Sequence, residues 1–132
     1  MLEMIALETR ERSQLLDVTG QVQEVLRRLG ASSGMCYVFV PHTTAGITIN
    51  ENADPTVRQD ILEHLERAAP WRAGYSHSEG NAAAHIKASL LGSSVWVPVE
   101  GGRLTLGTWQ GIYFAEFDGP RRRTLAVKFL AN

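Results

Sequence analysis

The chain lacks several features that would place it in a class at once. It has one cysteine, Cys36, so an internal disulfide is excluded, and the surrounding apolar run MCYVFV predicts a buried, inert thiol. Its 13 basic and 14 acidic residues give a net charge of −1, without the basic excess that marks nucleic-acid-binding domains. Its apolar runs are too short to cross a bilayer. The sequence therefore predicts no nucleic-acid partner and no membrane span.

Signature motifs of several enzyme classes are absent as well. The sequence has no G-x-S-x-G, G-x-x-x-x-G-K-[ST] or G-x-G-x-x-G, which argues against an α/β-hydrolase, a P-loop and a dinucleotide fold. C-x-x-C and H-E-x-x-H are also missing, so any metal site must be assembled from separate segments. The first residues, MLEMIALETRER, carry acidic side chains where a signal peptide carries positive charge, which predicts a cytoplasmic protein.

The pattern of strands and helices predicts the fold class. With 132 residues and 44% hydrophobic composition, the chain supports one domain over residues 1–132. Helices are expected to begin at the caps Thr19, Asp54 and Asn81. Three strand–turn–strand units are expected. Residues 2–10 pair with 14–18, residues 110–117 pair with 124–130, and a tight turn at residues 100–103 joins two strands. These elements predict an α+β domain with a mostly antiparallel, sandwich-like sheet core and about three helices.

The stretch SHSEGNAAAHIK, residues 76–87, concentrates side chains that bind metals, move protons or hold anions. On one continuous helix His77 and His85 would lie about 12 Å apart, too far to share a ligand. Gly80 and Asn81 instead favour a helix start at Asn81, with His77 in a loop that folds back over it. Because a helix start suits anions, these histidines and Lys87 predict a site for phosphate, or for a metal carrying phosphate. The alternative is a polar loop with two solvated histidines.

Two further polar segments flank a short predicted strand. His42, Thr43 and Thr44 follow a buried-looking strand, where they could coordinate a metal or donate to an anion. The alternative there is a turn whose hydroxyl groups bond the nearby backbone. At the other end, Asn50 and Glu51 precede a helix, and Glu51 could serve as a general base, a metal ligand or a partner to a histidine. The alternative for this pair is a solvated loop.

The segment GTWQG, residues 107–111, is unusual for a strand. Trp109 could stack on a planar ring while Gln110 reads the edge of that ring, and the alternative is a core tryptophan beside a β-bulge. Glu116 lies among apolar strand residues, so it either faces solvent or has a partner at a site or subunit contact. The arginines at 121–123 are expected in a solvated turn, with contact to an acidic group or a phosphate as the alternative. His64 is expected on the surface without a role.

Three stretches together carry a resemblance: HTTAGITINENADP at residues 42–55, HSEGNAAAHIKASLLGSS at 77–94 and GRLTLGTWQGIYFAEFDGPR at 102–121. In this order they resemble the YjbQ-like family, often labelled secondary thiamine-phosphate synthase. The resemblance implies a compact α+β domain with a β-sandwich-like sheet, assembled into homotrimers. A subunit interface also agrees with the sequence, which offers more strand than three short helices can cover.

The activity implied by the resemblance joins a pyrimidine methyl diphosphate to a thiazole phosphate and releases pyrophosphate. The expected catalytic residues are His77, His85, Glu79 and Glu51. The residues expected to bind the phosphorylated small-molecule substrate are Thr43, Thr44, Asn50, Asn81, Lys87, Trp109 and Gln110. A divalent metal, zinc or magnesium, would be held by His42, His77 and His85. Two alternatives stay open: a metal-dependent hydrolase or lyase, and a non-catalytic trimer that binds a phosphorylated ligand.

Overall fold

The structure is a computed structural model that describes residues 2–132. Its strands are β1 (Leu2–Glu8), β2 (Gln14–Asp17), β3 (Gly34–Phe39), β4 (Ala45–Glu51), β5 (Ser94–Glu100), β6 (Arg103–Leu104), β7 (Gln110–Glu116) and β8 (Arg122–Ala131). Its helices are α1 (Thr19–Arg28), α2 (Pro55–Ala68) and α3 (Ala82–Leu91). The predicted α+β class, with mostly antiparallel sheets and three helices in one domain, is confirmed.

The strands form two sheets in which each pair of neighbours is antiparallel. Sheet A has the order β1–β8–β3–β5–β6, and sheet B has the order β2–β7–β4. The main core combines Val38 and Val127 from sheet A, Phe114 from sheet B, and Val25 and Leu26 from α1. Because side chains alternate across a strand, each sheet gives one face to this core and one face to the outside.

The two outer faces differ in what covers them. A second apolar cluster combines sheet B residues with residues of α2 and α3, including Tyr113, Phe117, Leu65, Ala84 and Ala88. These two helices therefore cover the outer face of sheet B.

The outer face of sheet A is open and mostly apolar. The strand register places Leu2, Lys128, Tyr37 and Trp96 in one row across four strands. Trp96 is 51% exposed, and Leu2 and the neighbouring Met4 are exposed as well. Lys128 is the one charged side chain in this row, so the face presents large apolar side chains to solvent.

The local signals for helix ends are largely confirmed. Asp54 caps α2, where its Oδ1 accepts a hydrogen bond from the N–H of Thr56 at 2.9 Å. Asn81 precedes α3, although its side chain makes no capping hydrogen bond. The helix expected to be capped by Thr19 includes Thr19 as its first residue, with Val18 at the N-cap position, and the N–H of Thr19 donates to Asp17 Oδ1 at 2.9 Å. Cys36 is buried as predicted, and burial raises the pKa of its thiol to about 11.

The tight turn predicted at residues 100–103 is confirmed, because β5 pairs with β6 and Glu100 lies opposite Arg103. The other two predicted hairpins are wrong. Strand β1 pairs with β8 and β2 pairs with β7, so the chain crosses between the sheets after β1 and again after β7. The two crossings lie side by side, since Gly119 N donates to Arg12 O at 3.1 Å and Thr9 N donates to Arg121 O at 3.0 Å. Strands β1 and β2 therefore find their partners about a hundred residues along the chain, which a short turn signal does not reveal.

A close backbone contact between β4 and the end of α3 requires Gly46. A Cβ atom at this position would lie 2.7 Å from Gly92 O and 3.3 Å from Ala88 O. We expect Gly46→Ala to lower the free energy of unfolding by about 1–3 kcal/mol, because backbone atoms must move to admit the methyl group. Urea denaturation followed by circular dichroism would measure the change.

Gly20→Ala is the matched control. Gly20 lies in α1, and a Cβ atom there would meet nothing within 4 Å. This variant should gain stability by up to about 1 kcal/mol, since alanine favours a helix more than glycine does. Equal effects of the two substitutions would contradict the close contact at Gly46.

Candidate functional site

A polar cavity of about 480 Å³ lies at one end of the two sheets. Four separate segments border it: the β3–β4 connection, the loop before α3 with the first turn of α3, the β7–β8 crossing, and the start of β8. Its lining residues are Pro41, His42, Thr43, Thr44, His77, Glu79, Asn81, His85, Asp118, Arg121 and Arg123. The structure thus brings together the three histidines that the sequence analysis selected from distant positions.

A second cavity of about 460 Å³ adjoins the first. The two share His42, Thr43 and His85, and the second continues along α3 and past Gly92. The shared residues therefore stand between two lobes of one continuous polar depression.

His77 and His85 meet at the start of α3. Their ring centroids are 5.3 Å apart with an interplanar angle of 83°. Glu79 Oε1 lies 3.7 Å from His77 Nε2, so a carboxylate faces this ring. The loop before α3 folds back as expected, and it places His77 beside the first turn of the helix.

The first backbone N–H groups of α3 receive no cap from Asn81. The Nδ2 atom of Asn81 instead donates to Asp118 Oδ2 at 2.9 Å. Asp118 also accepts from Arg121, whose Nη2 lies 3.1 Å from Oδ2. Because the first N–H groups of a helix have no partner within the helix, this end stays available to an acceptor from the cavity.

His42 is held by the backbone of β8. Its Nε2 atom lies 3.0 Å from Thr124 N and 3.1 Å from Thr124 O. In the β3–β8 register Pro41 would stand opposite Thr124, and proline has no N–H to continue the ladder. In the neutral ring Nε2 either accepts from the Thr124 N–H or donates to Thr124 O, depending on the tautomer, and Nδ1 is the other ring nitrogen. Burial and the charge of Arg123 lower the pKa of His42 below its ordinary 6.5, so the ring is neutral near pH 7.

A buried ion pair forms the floor of the cavity. Glu116 is 0% exposed, and its Oε1 accepts from Arg123 Nε at 2.8 Å and from Thr9 Oγ1 at 2.7 Å. Arg123 Nη2 contacts Glu116 Oε2 and donates to Thr44 Oγ1 at 2.8 Å. These contacts use Nε and Nη2, so Nη1 remains for the cavity. The prediction of a solvated turn is therefore wrong for Arg123.

The hydrogen bonds to Glu116 decide its ionisation. Burial alone would raise the pKa of this carboxyl group. The hydrogen bonds from Arg123, the Asp118 N–H and Thr9 outweigh burial and hold the pKa below the ordinary 4.5. Glu116 is therefore a carboxylate whose acceptor positions are filled by the protein.

Four other residues predicted for the site lie at the far end of β4: Asn50, Glu51, Trp109 and Gln110. This strand begins beside the cavity and ends at Glu51, and its seven residues span about 20 Å. Glu51 pairs with Gln110 across the sheet, and Asn52 N donates to Trp109 O at 2.9 Å. The structure therefore does not bring Asn50, Glu51, Trp109 and Gln110 to the histidine cavity of the same chain.

Local hydrogen bonds occupy much of this second group. Asn50 Oδ1 accepts the N–H of Glu51 at 2.7 Å, and Glu51 Oε2 accepts the N–H of Ala53 at 3.1 Å. Trp109 is 62% exposed, so the alternative of a core tryptophan is wrong.

Lys87 also lies outside the cavity lining. It is buried, and its Nζ donates to Glu66 Oε1 on α2 at 2.8 Å. This hydrogen bond holds the pKa of Glu66 below its usual range. Lys87 therefore joins α3 to α2 on the outside of sheet B, and in this position it does not hold an anion at the cavity.

The described residues contain no preformed site for the predicted metal ion. Between Leu2 and Asn132 no three His, Cys, Asp or Glu side chains are arranged to hold a metal ion. His42, His77 and His85 border one cavity, but they do not converge on one point as three ligands would.

The sequence analysis missed Asp118 and gave Arg123 the wrong surroundings. A signal for Arg123 was present, because Glu116 stands among apolar residues and a buried carboxylate needs a partner. Asp118 had no such signal, since an aspartate before Gly-Pro is fully explained as part of a turn.

Taken together, the fold and the cavity define a small α+β protein with a polar pocket of histidines and arginines. A family model described as "UPF0047 protein YjbQ-like" matches residues 3–132. The chain belongs to this family. No helix between Leu2 and Asn132 has the length and apolar character needed to span a membrane.

Relatives from bacteria and archaea match almost the whole chain. The UPF0047 protein YugU of Bacillus subtilis is 50% identical over 131 residues, which cover 98% of this chain and 99% of the relative. The UPF0047 protein MJ1081 of Methanocaldococcus jannaschii is 46% identical over 132 residues, which cover 100% and 96%. The names of these two relatives give the family and no reaction.

Solved structures agree with the fold. An uncharacterised YjbQ/UPF0047 protein of Clostridium acetobutylicum has a TM-score of 0.95 and 54% identity, and the match covers 97% of this chain and 99% of that one. A hypothetical protein of Aeropyrum pernix has a TM-score of 0.95 and 41% identity, with 100% and 99% covered.

The ion pair beneath the cavity gives a stability prediction. Glu116→Gln leaves the guanidinium of Arg123 buried without its counter-charge, which should lower the free energy of unfolding by about 3–5 kcal/mol. Because the folded-state pKa of Glu116 is depressed, its contribution is present above its ordinary value and is lost as the pH falls through the folded value. Urea denaturation between pH 3 and pH 7 should therefore show a weaker acid dependence for the variant than for the wild type.

The double variant Glu116→Leu/Arg123→Met is the control for this prediction. Removing both charges leaves no unpaired ion, so it should recover much of the stability that the single variant loses. A double variant as unstable as Glu116→Gln would contradict the assigned role of the pair.

Proposed function

We infer that the protein binds a phosphorylated small molecule in the histidine–arginine cavity and acts on it as a transferase. The observation that carries this proposal is the convergence of three imidazoles, two guanidinium groups and an uncapped helix start on one cavity. Each of these groups donates hydrogen bonds to oxyanions.

Two unused polar atoms support an exogenous ligand. The Oδ1 atom of Asn81 is the only buried side-chain oxygen or nitrogen without a hydrogen-bond partner in the described part of the chain. Such an atom costs roughly 1–3 kcal/mol, which a donor on a ligand would offset. Arg123 Nη1 makes no hydrogen bond within residues 2–132, and Arg123 lines the cavity. A phosphate with a neighbouring hydroxyl or amino group would satisfy both atoms.

The finer proposal is the thiamine-phosphate-synthase-like reaction that the family resemblance implies. The thiazole nitrogen attacks the methylene carbon of the pyrimidine, and the bond from this carbon to the diphosphate oxygen breaks. The diphosphate leaves with the bonding electrons. The two adjoining lobes suit two substrates, with the histidines where the lobes join.

The residues have distinct roles in this reaction. His77 and His85, the helix start and the arginines donate hydrogen bonds to the leaving diphosphate, whose charge grows in the transition state. Glu79 orients His77, which it faces at 3.7 Å. His42, neutral and fixed by Thr124, presents Nδ1 to the junction of the lobes, where it can hold or pass a proton.

A divalent metal belongs to the proposal as an optional partner of the phosphate. It would supply positive charge to the departing diphosphate. His77 and His85 are the residues that would hold it, because their rings are adjacent and border the cavity. His42 could contribute Nδ1 only in the tautomer whose Nε2–H donates to Thr124 O, because otherwise Nδ1 carries the proton.

We also propose a homotrimer in the cytoplasm. The open apolar face of sheet A supports association between copies, because a soluble chain gains by covering Leu2, Tyr37 and Trp96. The buried free thiol of Cys36 suits a reducing compartment.

The proposed reaction gives a direct activity prediction. We expect His77→Ala and His85→Ala each to lower the rate of thiamine-phosphate formation by at least about 100-fold, as the loss of a proton-transfer or leaving-group contact does. Product from the two phosphorylated substrates would be measured by chromatography, with pyrophosphate release as an independent readout.

His64→Ala is the matched control, because His64 is an exposed histidine of α2 outside both lobes. It should keep the wild-type rate. Normal turnover in both cavity variants would reject the assigned site. A wild type that retains a phosphorylated ligand in mass spectrometry but makes no product would favour the binding protein. Elemental analysis of the same samples would test the metal.

The oligomer gives a separate prediction. Sedimentation at micromolar concentration should show three chains for the wild type and a smaller species for Trp96→Glu, because a charge on the open face must be buried on assembly. Leu90→Glu is the control, since Leu90 is 61% exposed, more than Trp96, but lies on α3 and not on sheet A. A monomeric wild type would contradict the proposal.

A further inference from the structure

One side of α3 carries a row of polar side chains that runs along both lobes of the depression. Asn81, His85 and Ser89 follow one another at intervals of four residues, so they lie on the same side of the helix at steps of about 6 Å. Asn81 borders the lobe that contains the arginines, here called the first lobe. Ser89 borders the second lobe, and His85 borders both. The helix therefore connects the two lobes by one continuous polar surface.

The two lobes differ in charge. The guanidinium groups of Arg121 and Arg123 belong to residues that border the first lobe. Within residues 2–132 no Lys, Arg, Asp or Glu borders the second lobe, where Thr43, Ser89 and Ser93 place hydroxyl groups beside the shared histidines. A phosphate is therefore bound more strongly in the first lobe, because its charge meets guanidinium groups there. An uncharged group that forms hydrogen bonds fits the second lobe.

The hydroxyl group of Ser89 is available to a ligand only as an acceptor. Its single hydrogen is donated to His85 O at 2.9 Å, so the lone pairs of Oγ are what remains for a bound molecule. At the other end of the row, Asn81 Oδ1 is also an acceptor, and it has no partner in the described chain. A phosphate group near pH 7 is mostly a dianion and brings no hydrogen for either atom. The donor must therefore be an O–H or N–H group in the body of the ligand.

Backbone hydrogen bonds fix the far end of the second lobe. Val40 N donates to Ser93 O at 2.8 Å, and Ile47 N donates to Gly92 O at 3.0 Å. These bonds tie the turn after α3 to β4 and to the residue that follows β3. Groups that are already held in position lose little conformational freedom when a ligand binds, so the second lobe is suited to selecting a ligand by its hydrogen bonds.

We propose that the ligand is a phosphate ester whose body carries a hydroxyl group, with its phosphate in the first lobe and its hydroxyl group donating to Ser89 in the second. The step along α3 places this hydroxyl group about 6 Å from a phosphate bound at His85, which is the reach of a chain of about three carbon atoms. Ser89 thus determines which body is accepted, while the arginines bind the phosphate. This assignment names the ligand class of the proposed function and rests on that function for the phosphate site.

Two phosphate esters of equal chain length test the proposal. Glycerol 3-phosphate and n-propyl phosphate share the phosphate and the carbon chain, and they differ only in the hydroxyl groups of glycerol. Titration calorimetry with the wild type should show glycerol 3-phosphate binding about 10-fold more tightly, because its hydroxyl groups add hydrogen bonds of ordinary strength in the second lobe. Equal affinities, or tighter binding of propyl phosphate, would overturn the proposal.

Variants at the two ends of the site assign the preference to Ser89. Ser89→Ala should bind glycerol 3-phosphate about 3- to 10-fold more weakly and propyl phosphate with unchanged affinity. Ser89→Thr keeps the hydroxyl group and should keep the preference. Arg121→Gln is the matched control, because Arg121 borders the first lobe and not the second, so this variant should weaken both esters by the same factor. A wild-type preference in Ser89→Ala would contradict the assigned role of Ser89.

Inorganic phosphate separates the role of the second lobe from the phosphate site itself. It should bind to the wild type and to Ser89→Ala with equal affinity, since it occupies the first lobe alone. If inorganic phosphate binds and the two esters are not distinguished, the role of the second lobe is wrong and the phosphate site stands. If inorganic phosphate and both esters fail to bind, the phosphate site of the proposed function is wrong, and the role of Ser89 falls with it.

Discussion

The ion pair between Glu116 and Arg123 connects the two sheets, and the cavity depends on it. Glu116 ends β7 in sheet B and Arg123 lies in β8 of sheet A, so their contact joins the sheets where the chain crosses between them. Thr9 and Thr44 complete the same hydrogen-bonded cluster from two other segments. The desolvation of two buried charges offsets much of their attraction, so such a pair adds little net stability over an apolar replacement. Here it sets the floor of the cavity and orients a guanidinium group toward it.

The cavity walls follow from the same corner of the fold. Asp118 and Arg121 belong to the crossing beside the ion pair, and Asn81 is bound to Asp118, so the start of α3 is fixed relative to the sheets. This contact uses the side chain that would otherwise cap α3. The helix start beside the cavity is therefore left without a side-chain cap, so its first N–H groups have no acceptor from Asn81.

The sequence alone predicted correctly those features that depend on neighbouring residues, such as the helix starts. Asp54 with Pro55 marks a helix start by the chemistry of the cap itself. Asn81 marks the position of the α3 start correctly, although its side chain does not cap the helix. Pairing between distant strands was out of reach, because β1 and β8 meet through residues more than a hundred positions apart. The sequence could have shown that Lys87 and His85 point to different sides of α3. Residues two apart on a helix lie on opposite sides of it, and these two residues do so. The separation of Glu51 from the histidines also follows from one fact, that β4 is an extended strand.

Few buried residues and polar contacts hold helix α2 to the rest of the molecule. Leu65 is its only buried residue within the described chain, and the bond from Lys87 to Glu66 is a single polar tie to α3. Opening this helix exposes less apolar surface than separating the two sheets, so it should form a low-stability unit that opens while the sheets stay folded. Its amide protons would then exchange with solvent ahead of those in β7. Each such opening uncovers Tyr113 and Phe117, so the outer side of sheet B is where this fold is most susceptible to proteolysis and misassociation.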